Sequence, residues 1–172
     1  MQPIINKILY ATDLSDNSAF AFRYAISSAQ QHGAEIVILH VLESLPGMAE
    51  GLIRTWIAGD ELDQVLKEKI VESTDRIKNQ LQMFCDRELA DKPECIDIVT
   101  SIKVVEGYPA EEILRQANDL DCDLIIMGNH GKGMVSHPFL GSVAERVLRR
   151  VRKPICVIPL PEGEINLNSY GI

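Results

Sequence analysis

Five short apolar runs recur along the chain: Lys7–Ala11, Ala34–Leu42, Asp97–Val105, Leu124–Met127 and Ile155–Pro159. Each is bounded by polar or glycine-bearing sequence, and several carry apolar residues at consecutive positions, as strands covered on both faces do. Between the runs, apolar residues return every three or four positions, the period of a helix with one buried face. Phe22, Ala25, Ile26 and Ala29 mark such a face in a helix predicted over Asn17–Gln31, with Ser15 or Asp16 as its N-cap and Gly33 as its stop. Leu62, Leu66, Ile70, Ile77, Leu81 and Phe84 mark a long helix over Asp60–Leu89. Ala110, Ile113, Leu114 and Ala117 mark a third, opened by Pro109, whose missing N–H costs nothing in a first turn. Val143, Val147, Leu148 and Val151 mark a fourth, over Gly141–Val151.

The resulting order is βαβαβαβαβ. Alternating strands and helices predict an α/β fold, a five-stranded parallel sheet with helices on both faces and right-handed crossovers. In such sheets a ligand sits beyond the carboxyl ends of the strands, where the strand order reverses. If the first and fourth strands are neighbours, Asp13 and Gly128 flank that crevice. Residues 1–160 are expected to form one domain. Residues 43–59, with Pro46, Gly47, Gly51 and Trp56, are long for a connection and read as a flap or loop in which Trp56 is a packing anchor. Residues 161–172 read as a loose tail.

Composition narrows the function. The chain has 172 residues and a formal charge of −8, with no basic stripe interleaved with aromatics, so a general nucleic-acid grip is not expected. No apolar run approaches the roughly 20 residues that cross a bilayer, and the first residues show no signal-peptide pattern. Cys85, Cys95, Cys122 and Cys156 have no metal-ligand spacing. Cys122 and Cys156 are expected beside or within buried strands as small hydrophobes, and the setting as cytoplasmic and reduced.

The candidate chemistry lies in residues 123–159. Glycines follow the fourth strand, and Gly141-Ser142 opens the next helix. Glycine lets backbone approach a phosphate closely, and a helix N-terminus offers unpaired N–H groups and a positive dipole end. This loop lacks the Gly-Lys-Ser/Thr triplet of a Walker motif and is not a GxGxxG following the first strand. His130 and His137 flank it without a partner at a diagnostic spacing, and His40 is expected to line the core or the crevice. A phosphoacceptor receiver domain needs an Asp at the end of the third strand, where Glu106-Gly107 stands instead. A flavodoxin-like carrier needs a phosphate loop after the first strand, and Asp13-Leu14-Ser15 is a poor one.

The spacing Gly128-x2-Gly131-x9-Gly141-Ser142 resembles the signature G-x2-G-x9-G-[S/T] of the nucleotide-binding branch of the universal stress protein family. KILYATDLS, VILHV and KPICVIP are similar to that family's first, second and closing strands, so the likeness spans nearly the whole chain. The resemblance implies an adenine-nucleotide alpha hydrolase-like, Rossmann-like sheet in the strand order 3-2-1-4-5. It implies that Asp13 lies near adenine and ribose and that the Val41 backbone meets the adenine edge. Met127 and Gly128 would line the ribose and phosphate side, and Gly131, Lys132, Gly141, Ser142 and Val143 would hold the phosphates. Ala11, beside this site, stands where relatives often carry Pro. ATP is the implied ligand, or AMP or ADP, with Mg²⁺ or Mn²⁺ bridging phosphates. A homodimer through Ile155–Pro159 is also implied, with an unidentified protein partner. The expected role is a nucleotide-binding stress or regulatory protein that changes conformation or partner affinity; the alternative is a slow ATPase or other nucleotide-dependent enzyme.

Overall fold

Strand β1 (Lys7–Ala11) lies at the centre of the sheet in a computed structural model that describes residues 3–15, 18–43, 59–129 and 140–159. It is flanked by β2 (Glu35–Glu43) and β4 (Leu124–Gly128), with β3 (Val99–Gly107) and β5 (Ile155–Ile158) outermost. The order is β3-β2-β1-β4-β5, and every pairing is parallel. Ala11 is in register with Leu39 on one side and Met127 on the other. The chain thus leaves β1 in both directions along the sheet, and the order reverses between β1 and β4.

Alternation along β1 divides the core. Ile8 and Tyr10 point into one layer, with Ile36, Ile38 and Ile126. Leu9 and Ala11 point into the other, with Val37, Leu39, Ile125 and Met127. Helices α1 (Ser18–His32) and α2 (Gly59–Glu88) supply Phe22, Ala25, Leu81 and Phe84 to the first layer. Helices α3 (Pro109–Asp119) and α4 (Ser142–Arg150) supply Ile113, Ala117, Ala144 and Val147 to the second. Helices therefore cover both faces, as the continuous apolar strands require. Full burial of a side chain such as Ile8 or Leu9 contributes about 1.5–3 kcal/mol.

The helix ends follow local chemistry. At the end of α1, Gly33 has φ +66° and the Ala34 N–H donates to the Ala29 carbonyl at 2.9 Å, a Schellman stop. The same six-to-one bond, from Cys122 N–H to the Ala117 carbonyl at 2.9 Å, closes α3, where Asp121 takes the left-handed position with φ 51°. At the opposite end of the sheet from the crevice, Asp123 accepts the N–H groups of Asn6 and Lys7 at 2.8 and 3.0 Å, locking the starts of β1 and β4 together.

Several expectations shift. The third strand begins at Val99 rather than Asp97, because Pro93 opens a 3-10 turn over Pro93–Ile98 that takes Asp97 and Ile98. It runs through Gly107, and Tyr108 alone separates it from α3 as that helix's N-cap. The second strand begins at Glu35 because Ala34 completes the stop of α1. Cys156 is exposed, not buried, since among the described residues β5 pairs only with β4 and forms the sheet's edge. Leu148, expected on the apolar face of α4, is 41% exposed. Residues 44–58 of the expected flap, Trp56 among them, and the tail lie outside the described residues, as do Asp16, His130, Gly131, Lys132 and His137.

Candidate functional site

A cavity of about 610 Å³ opens at the carboxyl ends of β1, β2 and β4, a size typical of small-molecule sites. It lies at the switch point the topology defines. Its wall includes Ala11, Asp13, Val41, Met127, Gly128, Gly141, Ser142 and Val143. These are all the sequence-predicted site residues that fall among the described ones. Gly131 and Lys132 belong to the stretch outside them.

The turn after β1 is built from its own side chains. Thr12 N–H donates to the Leu39 carbonyl at 2.9 Å, and Thr12 Oγ1 accepts the Leu14 N–H at 3.1 Å. Asp13 Oδ1 accepts the Ser15 N–H at 3.0 Å, an Asx turn. Between them Leu14 has φ 58°, a left-handed backbone that costs a branched residue on the order of 1–2 kcal/mol. Strain of this kind persists where surrounding bonds over-determine the conformation, and it concentrates at ligand sites. His40 on β2 supplies one of those bonds. It is 6% exposed, and its Nδ1 lies 2.9 Å from the Thr12 carbonyl. The carbonyl can only accept, so Nδ1 carries the proton. Tyr10 supplies another, its hydroxyl donating to the Ser18 carbonyl at 2.6 Å. Burial raises the Tyr10 phenol above its ordinary pKa, so it stays neutral and donating.

The opposite wall is the start of α4. Gly141 is its N-cap, and with no side chain it supplies no cap to the first-turn N–H groups. Gly141, Ser142, Val143 and Ala144 all line the cavity. Gly141 N–H donates to the Asn129 carbonyl at 2.8 Å, and Asn129 N–H donates to the Ile158 carbonyl at 2.9 Å. Asn129 therefore fixes the helix start against both β4 and β5. Arg149 and Arg150 in the last turn complement the other end of the dipole.

Two buried side-chain polar atoms among the described residues have no hydrogen-bond partner: Ser15 Oγ and Asn129 Oδ1. Both residues line this cavity. Leaving such a group unpaired costs about 1–3 kcal/mol. The wall thus combines an apolar end at Leu39, Val41, Pro109 and Ile113, polar groups in the middle, and an uncapped helix start. A planar apolar ring, a hydroxylated linker and an anion fit that sequence of surfaces. Sequence reasoning missed Asn129 and gave Ser15 only a capping role. Their positions directly beyond the carboxyl ends of β4 and β1 were the available signal. Among the described residues no three His, Cys, Asp or Glu side chains cluster to hold a metal ion.

An all-parallel sheet in this order, with a cavity between the first βα turn and a helix N-terminus, defines the chain as an α/β protein of the nucleotide-binding type. The family model described as the universal stress protein family matches residues 5–159, and the chain belongs to that family. It is 30% identical over 167 residues to universal stress protein MJ0577 of Methanocaldococcus jannaschii, covering 92% of this chain and 97% of that one. The solved structure of MJ0577 superposes with a TM-score of 0.67 at 31% identity, covering 92% and 98% of the two chains. Two more distant structures share the fold. One is a universal stress protein in complex with cAMP, at TM-score 0.57 and 22% identity over 91% of this chain and 98% of that one. The other, from Archaeoglobus fulgidus, is in complex with dAMP, at TM-score 0.50 and 18% identity over 90% and 98%.

Proposed function

We propose that the chain is a regulatory stress protein that binds an adenine nucleotide, ATP in the first instance, in the β1–β4 cavity. The observation that carries the reading is the uncapped start of α4 opposite an apolar pocket end, with two orphaned polar atoms between. Phosphates take the N–H groups of Ser142, Val143 and Ala144, and the Ser142 hydroxyl adds a donor. The reading assigns Gly131 and Lys132 to the phosphates as well. The base lies against Val41 and Ile113, and Asp13 faces the sugar side. The cAMP and dAMP complexes of the relatives support an adenine nucleotide as the ligand class. Mg²⁺ or Mn²⁺ would enter with the phosphates, which supply the oxygen ligands a hard cation takes.

The reading assigns binding, coupled to a change in conformation or partner affinity, rather than rapid turnover. Edge strand β5, paired among the described residues with β4 on one side, is the surface on which two copies meet in a cytoplasmic homodimer. Titration calorimetry with ATP and Mg²⁺ tests the binding claim. The wild-type chain should release heat at a one-to-one ratio. Gly128→Val should abolish it while leaving the far-ultraviolet dichroism unchanged. Absence of heat, with no nucleotide in denatured extracts of the protein, would sink the proposal.

A further inference from the structure

We infer that Asn129 reads a ribose hydroxyl, so that this site prefers ribonucleotides over deoxyribonucleotides; the inference rests on the proposed nucleotide site. Asn129 Oδ1 is buried without a donor, and its residue lines the cavity. Its backbone is held at both ends, N–H to Ile158 and carbonyl from Gly141, so the side chain springs from a fixed point. Its terminal torsion χ2 is soft, so the amide oxygen is free to turn toward a bound ligand.

The chemistry then selects the partner. An amide oxygen accepts and cannot donate, and phosphate oxygens of a bound nucleotide also accept. Asn129 Oδ1 therefore needs a donor, and the phosphates have none to give. Along the sheet the cavity runs from the apolar wall at Val41 on β2, past β1 and β4, to the helix start at Ser142. An aromatic base belongs at the apolar end and an anion at the helix start. The sugar then lies between them, at β1 and β4. Ala11 pairs with Met127, and Asp13 and Asn129 each follow two residues beyond that pair, both lining the cavity. Two acceptor-bearing residues on one cavity wall match two vicinal hydroxyl donors. A deoxy sugar lacks one of them and leaves the buried oxygen unpaired, the situation in which polar sites discriminate most strongly.

The test is calorimetric titration of the full chain with ATP, 2′-deoxy-ATP, 3′-deoxy-ATP and inosine triphosphate. The wild-type chain should bind ATP roughly tenfold more tightly than one of the two deoxy analogues, the worth of one neutral hydrogen bond. Asn129→Ala should bind ATP and that analogue alike. Asn129→Asp keeps an acceptor in place and should keep the discrimination, though all triphosphates bind it more weakly. Equal wild-type affinities for ATP and both deoxy analogues would overturn the inference and leave the nucleotide reading standing. So would an Asn129→Ala chain that loses the same factor for every ligand, which indicates an amide NH₂ on phosphate. A loss of discrimination against inosine triphosphate alone would assign Asn129 to the base amine and overturn it too. Binding of none of the four would remove the nucleotide reading and this inference together.

Discussion

Tyr10 joins the core to the site, and Tyr10→Phe isolates that join. The ring is fully buried, 5.3 Å from the Phe22 centroid, and its hydroxyl donates to the Ser18 carbonyl at 2.6 Å. Phenylalanine keeps the ring in place, so no cavity forms and the apolar contacts survive. What is lost is one short buried hydrogen bond between β1 and the first residue of α1. A neutral bond contributes about 0.5–1.5 kcal/mol net, and leaving its carbonyl poorly satisfied can add to that. A total of about 1–2 kcal/mol follows, which lowers Tm by roughly 3–6 °C in a chain of this length. Urea unfolding followed by far-ultraviolet dichroism measures it. The midpoint should fall at constant slope, as expected when the native surface is unchanged. A midpoint equal to that of the wild-type chain would refute the claim that this hydroxyl holds the β1–α1 turn.

Other outcomes follow from single features. Gly33→Ala should destabilise by about 1 kcal/mol through backbone strain alone, since φ is +66° and a methyl there meets nothing within 4 Å; an unchanged urea midpoint would contradict this. Native alkylation read by mass spectrometry should leave the buried Cys85, Cys95 and Cys122 unlabelled until the chain unfolds. Burial pushes the Cys85 thiol from 9.0 up to about 12 and the Cys122 thiol from 9.0 up to about 11. The folded chain therefore keeps protons that the unfolded chain gives up, and stability should fall as pH rises from about 9 toward 12. A midpoint that rises across that window would show the sign to be wrong.

The sheet was legible because its strands are buried on both faces and so nearly unbroken in apolar sequence. Ile8–Ala11 and Leu124–Met127 needed no partner information to be recognised. Strand boundaries were less so, because Ala34 and Asp97 are assigned by neighbouring backbone bonds that no periodicity encodes. Cys156 was misread for a different reason. Its run looks like the other strands, and only the position of β5 at the sheet's edge exposes it. At the site, glycine spacing pointed to Gly128, Gly141 and Ser142, since close backbone approach leaves a compositional mark. His40 bonding to Thr12, the strained Leu14 and the orphaned Asn129 oxygen leave none. They arise from strands distant in sequence and become visible only once β1, β2 and β4 are side by side.

The most direct measurement of the central claim is a titration of the ¹⁵N-labelled chain with ATP and Mg²⁺, followed by amide NMR. The account predicts the largest shifts at Ser142, Val143 and Ala144, with further shifts at Asp13, Val41 and Asn129. Amides at the far end of the sheet, such as Asn6 and Asp123, should stay where they are. Shifts confined to the groove between α2 and β3, around Cys85 and Ser101, with the α4 start unmoved, would contradict it.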